Sequence, residues 1–166
     1  MHQHNTTYVG IDISKSKFDV RSTEGSKGVV YQYTPDGMKQ FIQLLQKLQP
    51  ELICLEATGG LERKLVALLH KHKFPVAVVN PRQIRDFARA KNRLAKTDQI
   101  DANTIMEFAQ TMNPRITEPL IQAQQKMRDF TARRGQVCKQ LLQERNRLGS
   151  AADKQVAKLI NQSIRF

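Results

Sequence analysis

Tyr8-Val9-Gly10-Ile11-Asp12-Ile13 alternates between two faces, with Val9, Ile11 and Ile13 on one and Tyr8, Gly10 and Asp12 on the other. A period of two marks a β-strand with one aliphatic side, and it turns the Asp12 carboxylate away from that side. Ser14-Lys15-Ser16-Lys17 reads as a polar turn into a second strand through Phe18 and Val20. Val29 to Tyr33 makes a third strand after the turn at Gly25 to Gly28. The opening of the chain is therefore an antiparallel meander.

From Pro35 the period changes. Met38, Phe41, Ile42, Leu45 and Leu48 form one helical stripe closed by Gln49-Pro50. Leu52-Ile53-Cys54-Leu55 is a continuous apolar run suited to a strand covered on both faces, and Glu56 follows at its exit. Thr58-Gly59-Gly60 leads into a helix marked by Leu61, Leu65, Leu68 and Leu69, which ends in His70-Lys71-His72-Lys73, cations that suit a helix C-terminus. Pro75 to Val79 is the next buried strand. Asn80-Pro81 supplies an N-cap and a first-turn proline for a helix carrying Ile84, Phe87 and Ala88 inward. Thr97 is expected to cap a further helix through Ala102, Ile105, Met106 and Ala109, stopped by Asn113-Pro114. The order β-β-β-α-β-α-β-α-α describes an α/β domain with an antiparallel start.

After Pro119 the character changes again. Leu120, Met127, Leu141 and Leu148 fall on a seven-residue repeat, with Ala123, Phe130 and Val137 in the intervening apolar slots, interrupted by Arg134 and Glu144. This is a coiled-coil pattern. Gly149-Ser150 reads as a helix stop and a new N-cap, with Val156, Leu159, Ile160 and Ile164 on a return helix. Two segments are expected, residues 1–114 as the α/β domain and 115–166 as a coiled-coil helical extension. The end at Phe166 is expected to be a cut within a longer protein.

The chain carries 27 Lys and Arg against 15 Asp and Glu, a formal charge of +12 over 166 residues, which points to a polyanionic partner. With 40% apolar residues it has the material for a core. Cys54 and Cys138 stand far apart without metal-ligand spacing, so a reducing cytoplasmic setting is expected and neither is a nucleophile candidate. No apolar stretch approaches the length of a membrane span, and the N-terminus lacks the apolar core of a signal peptide.

Candidate chemistry rests on four acids. Lys96-Thr97-Asp98-Gln99-Ile100-Asp101-Ala102 sets two carboxylates three residues apart, on one face if the helix starts at Thr97. Asp12 leaves the first strand on its non-aliphatic side, and Glu56 abuts a hydrophobic run with no local partner. Gathered together, such anions repel and call for a cation. Hard oxygen donors suit Mg²⁺ or Mn²⁺, the ions that assist phosphodiester cleavage. Acids in a first helical turn also oppose the macrodipole favourably, so Asp98 and Asp101 alone fit a structural role as well. Asp19 reads as a solvated strand position beside Lys17 and Arg21, Glu107 as a surface group, and His70 and His72 as end-of-helix cations. Arg82, Arg85 and Arg89 recur along one helix face and are followed by Lys91, Arg93 and Lys96, with only Asp86 in return. Such a stripe would hold a phosphate backbone without regard to base sequence.

Gly10-Ile11-Asp12-Ile13-Ser14-Lys15, Leu55-Glu56-Ala57-Thr58-Gly59, Val79-Asn80-Pro81 and Lys96 to Ala102, in that order and spacing, resemble the N-terminal domain of the DEDD transposases of bacterial insertion sequences, the one-hundred-ten family. That family is related to the Piv-type site-specific invertases. The resemblance covers nearly all of residues 7 to 112. It implies a ribonuclease-H-like (RuvC-like) mixed sheet with flanking helices, in which Asp12, Glu56, Asp98 and Asp101 are the catalytic ligands of Mg²⁺ or Mn²⁺. It also implies a DNA substrate cut and exchanged in transposition, a structured noncoding guide RNA in some members, and a homodimer or higher oligomer held through the coiled coil. The work would be done in the bacterial cytoplasm, on the nucleoid. Family members also carry a C-terminal transposase domain bearing a serine. An alternative is a non-catalytic module that holds DNA or guide RNA and whose acids are structural. A third reading, an actin-like or sugar-kinase fold opening on Gly10 and Asp12, would need a second domain and a glycine-rich nucleoside site.

Overall fold

A computed structural model of the chain describes residues 6–25, 27–91, 101–120 and 122–165. Two compact units divide it, residues 1–119 and 120–166.

In the first unit, β1 (Tyr8–Ile13), β2 (Lys17–Ser22) and β3 (Val29–Gln32) form the expected meander. Then come α1 (Pro35–Leu48), β4 (Leu52–Glu56), α2 (Glu62–Lys71), β5 (Val76–Val79), α3 (Pro81–Ala90) and α4 (Ala102–Met112). The five strands make one mixed sheet in the order β3-β2-β1-β4-β5, antiparallel on the β2 and β3 side and parallel where β4 joins β1 and β5 joins β4. Each parallel connection passes through a helix because neighbouring parallel strands need a crossover.

The sheet has a hydrophobic core on each face. Val9, Ile11, Phe18, Phe41, Leu45, Ile53, Leu55, Leu65 and Leu69 are fully buried between the sheet and helices α1 and α2. On the opposite face Leu52, Cys54, Ala77, Ile84, Ile105, Phe108 and Ala109 pack under α3 and α4. Side chains of this size contribute roughly 1.5 to 3 kcal/mol each when fully buried, so both faces of the apolar run at β4 are stabilising, as its unbroken hydrophobicity requires.

Helix starts follow from local chemistry. Thr34 accepts from the Gly37 N–H ahead of α1, and Asn80 Oδ1 accepts from the Arg82 N–H at 2.9 Å ahead of α3, each with proline in the first turn. The α4 start corrects the sequence expectation. Asp101, not Thr97, is its N-cap, with extended backbone and Oδ1 accepting from the Thr104 N–H at 2.7 Å. Asp101 therefore precedes the helix instead of lying in its first turn, and Thr97 lies outside the described residues.

Gly10 decides where α4 sits. A Cβ at Gly10 would overlap the Ala102 carbonyl and the Met106 backbone, so only glycine lets α4 cross β1 at this depth. After α4 the chain runs along the β5 edge. The Thr117 N–H donates to the Val76 carbonyl at 2.7 Å and Thr117 Oγ1 accepts from the Val78 N–H at 2.9 Å, which closes that edge to further strands.

The second unit is a helical hairpin of α5 (Gln122–Ser150) and α6 (Lys154–Arg165). Leu141, Leu148, Ala157, Ile160 and Ile164 are half-buried. The first helix ends at Ser150, as expected, but the new N-cap is not Ser150. Ser150 Oγ turns back to the Asn146 and Arg147 carbonyls, and Asp153 Oδ1 caps α6 through the Gln155 and Val156 N–H groups at 2.7 and 3.0 Å.

Candidate active site

Asp12 and Glu56 leave the carboxyl ends of neighbouring parallel strands. The register Ile11↔Leu55 carries both acids one residue further along β1 and β4, and both lie on the face covered by α3 and α4. Ligands of α/β sheets gather at these strand ends. Asp101, at the N-terminus of α4, comes to the same place because α4 crosses β1 over Gly10, and an open cleft of about 590 Å³ has Asp12, Asp101 and Asn103 among its walls. Asp98, Arg93 and Lys96 lie outside the described residues.

A third strand contributes an acid that the sequence reading set aside. Asp19 stands directly opposite Asp12 in the β1 and β2 ladder and lines the same cleft. Its reading as a solvated position came from Lys17 and Arg21 beside it, and Lys17 does lie 3.8 Å away, with both side chains partly exposed. A hairpin register centred between Lys15 and Ser16 would have exposed the pairing.

Electrostatics mark Asp12 as the centre of this acidic face. Burial, then the Asp19 and Asp101 carboxylates, push its carboxyl above the ordinary range, against the Ile13 backbone and Lys17, which lower it. Burial and Asp12 likewise raise Glu56, while Arg85 of α3 draws it down. Arg85 is thus the residue through which the basic helix meets the acids. Among the described residues no three acidic, histidine or cysteine side chains converge closely enough to hold a metal ion. The donor chemistry nevertheless fits a hard divalent cation. The oxygens are all carboxylate, and like charges raise Asp12 where a cation would relieve them.

Arg82, Arg85 and Arg89 project from the exposed side of α3, Arg89 paired with Asp86 at 3.3 Å. Lys91 is also exposed, but its ammonium reaches back toward α4. Its ammonium lies 2.9 Å from Glu107 and 4.7 Å from the centre of the Phe87 ring, and Asn103 donates to the other Glu107 oxygen at 2.8 Å. Glu107 is therefore a half-buried tether between α3 and α4, not the plain surface acid its helix position suggested.

The loop after Glu56 is held by Glu62, which the sequence reading had not singled out. Its Oε2 accepts from the Thr58 N–H at 3.1 Å, Thr58 Oγ1 at 2.9 Å and the Gly60 N–H at 2.9 Å. Gly59 and Gly60 adopt φ of 75° and 125°, which glycine tolerates without steric cost. The backbone donors of this glycine loop are thus filled by the chain's own carboxylate.

A mixed sheet of this order, helices on both faces and acids at the ends of its central parallel strands make an α/β domain consistent with a ribonuclease-H-like fold. The family model for DEDD transposases of the IS110 type, described as a transposase, matches residues 9–155. The chain belongs to that family. It is similar to the pilin gene-inverting protein of Moraxella lacunata, 30% identical over 150 residues that cover 85% of this chain and 46% of the relative. The protein of the same description from Moraxella bovis is 29% identical with the same coverage. The chain spans about half the length of these curated relatives. Among solved structures it is similar to T. thermophilus RuvC in complex with a Holliday junction substrate, at 14% identity and a TM-score of 0.46, covering 64% of this chain and 96% of that one. Among the described residues no helix is long and apolar enough to cross a membrane.

Proposed function

We propose that this chain is the catalytic domain of a Mg²⁺- or Mn²⁺-dependent DNA transposase or site-specific recombinase, acting on DNA in the bacterial cytoplasm. Asp12, Glu56, Asp98 and Asp101 would hold the divalent cation. The observation that carries this reading is that Asp12 and Glu56 stand at neighbouring strand ends and Asp101 at a helix start on the same face of the sheet, with Asp12 raised by burial and by Asp19 and Asp101. A bound divalent ion supplies charge neutralisation and Lewis acidity for phosphodiester cleavage. Arg82, Arg85 and Arg89, with Lys91, Arg93 and Lys96 at the end of the row, bind the phosphate backbone, and Arg85 leads that backbone toward Glu56. The hairpin of α5 and α6 joins copies of the chain as a coiled coil, and a structured guide RNA is a further partner on the basic surface.

Calorimetry tests the metal site. Mn²⁺ binding is expected in the wild-type chain and is lost in Asp12→Asn and in the double change Asp98→Ala with Asp101→Ala. Unchanged Mn²⁺ affinity in those variants would overturn the site.

The second reading, a module that holds DNA or guide RNA without chemistry, is favoured by one observation. The acids described do not gather to metal-binding distance. It predicts that recombination by the full-length protein survives Glu56→Ala.

A further inference from the structure

The acidic face does not end at Asp19. Across β1, β2 and β3 the ladder sets Asp12, Asp19 and Val30 in one row on the α4 side of the sheet. The next row on that side holds Gly10 opposite Arg21, and the β2 and β3 register continued by one residue sets Gly28 opposite Arg21. All six positions alternate onto one face because residues two apart on a strand share a side.

Three properties distinguish this corner from an ordinary sheet surface. Gly28 offers no side chain, and Nη1 of Arg21 lies 4.0 Å from where a Cβ on Gly28 would stand, so the guanidinium lies beside a position that carries no side chain to cover it. Val30, on the edge strand, is 51% exposed although it adjoins a half-buried acid. Both residues line the open cleft of about 590 Å³ that also contains Asp12, Asp19, Asp101 and Asn103. The cleft thus passes from carboxylates to a guanidinium and an apolar edge within one strand's width.

We infer that Arg21 and Val30 form a subsite for the nucleotide next to the phosphate under attack, in single-stranded DNA. The inference rests on the proposed metal-dependent site. Asp19 and Arg21 are two residues apart on β2, about 6.6 Å, a span that one nucleotide step of an extended strand covers. With one phosphate held at a divalent cation that the acids would bind, the neighbouring phosphate would meet the Arg21 fork, a geometry suited to phosphate oxygens. The sugar and base edge of that nucleotide lie on the exposed Val30. Arg21 is a positioning contact to the strand and does not touch the bond that breaks.

The test uses the whole 166-residue chain and a fluorescein-labelled single-stranded oligothymidylate, followed by anisotropy in buffer containing Mn²⁺ over a range of salt. Arg21→Gln is expected to weaken binding roughly tenfold, as loss of a charge-assisted hydrogen bond does. It should also flatten the dependence of log affinity on log salt by about 0.7, the single-strand value for one phosphate contact. Arg21→Lys keeps the slope, and Val30→Ser weakens binding without changing it. Equal affinity and slope in Arg21→Gln overturn the subsite, as does a wild-type chain that does not bind the oligothymidylate. An effect confined to oligouridylate RNA overturns it in favour of an RNA contact. Mn²⁺ calorimetry separates the two proposals. Loss of Mn²⁺ binding in Arg21→Gln would overturn the subsite, because the arginine would then act on the acids. A wild-type chain without Mn²⁺ affinity, whose oligothymidylate binding still depends on Arg21, would remove the metal site and leave the strand contact.

Discussion

Asp12 and Asp19 face each other across β1 and β2, two carboxylates in directly opposed ladder positions on the side of the sheet that α4 covers. Like charges so placed destabilise a sheet by about 0.2 to 1 kcal/mol, and Lys17 at 3.8 Å offsets this only partly because that pair is half exposed to water. An arrangement that costs stability in the metal-free chain is of use where a cation is to be bound. Asp19→Asn should therefore raise the melting temperature in EDTA by up to about 4 °C, and lower Mn²⁺ affinity measured by calorimetry. A variant unchanged in both would remove Asp19 from the electrostatics of the site.

Gly10 fixes the distance between α4 and β1, and with it the position of Asp101 relative to Asp12. The backbone atoms a Cβ would meet are those of Ala102 and Met106, which have no rotamer to yield. Gly10→Ala is expected to cost about 3 kcal/mol, the upper part of the range for overpacking, read as a lower urea midpoint. It should weaken Mn²⁺ binding as well, since α4 must move outward. Wild-type stability in this variant would mean that α4 sits elsewhere.

These two relationships also show what the sequence did and did not disclose. Period and punctuation revealed each strand and helix among the described residues of the first unit, because alternation, stripes and caps are local. Asp12 and Glu56 were legible as candidates for the same reason: each is a charge where the local pattern calls for none. Asp19 was not, since its alternation beside Lys17 and Arg21 looks like any solvated strand, and only the turn geometry decides which residue it faces. Asp101 was found but misplaced. Thr97 and Asp101 are both good caps, and nothing local chooses between them. The same competition misplaced the start of α6, where Asp153 caps and Ser150 bonds backward. The partnership of Glu107 with Lys91 lies sixteen residues apart in sequence, beyond any helical neighbour rule.

Glu62 should give the metal-free fold an acid-sensitive component. Burial alone would raise its carboxyl, but its hydrogen bonds at Thr58 and Gly60 outweigh this and hold it below the ordinary range. A folded value below the unfolded one means stability that is fully present above the unfolded value and lost as pH falls through the folded one. Since the group is only half-buried, the effect is discounted to about 1 kcal/mol. Glu62→Gln should thus lower the urea midpoint at neutral pH, and the gap between variant and wild type should close well below the carboxylate range. A gap that persists in acid would assign the loss to packing instead of charge. Because this loop leaves β4 at Glu56, the same variant is expected to weaken Mn²⁺ binding severalfold.

The hairpin of α5 and α6 makes the final case, because its apolar residues exceed what two helices can cover. Within this unit no described residue is fully buried, and Met127, Phe130, Leu142 and Leu159 are 68%, 74%, 60% and 65% exposed. Large apolar side chains left this exposed along a helix stripe mark association surfaces. Met127, Phe130 and Val137 follow the spacing of a coiled-coil seam, and the half-buried Leu141 and Leu148 carry the same seam into the hairpin. A second copy of the chain, presenting the same stripe, would cover it through a two-fold contact. Sedimentation of the wild-type chain should therefore show a dimer or higher oligomer that dissociates on dilution. Phe130→Glu should shift it to monomer at the same concentration, since each association would desolvate the new charge. The Asp12 region lies in the other compact unit, so Mn²⁺ affinity per chain should be retained in this variant. A wild-type chain that sediments as a monomer at every concentration would leave the stripe for a different partner and remove self-association from the proposed function.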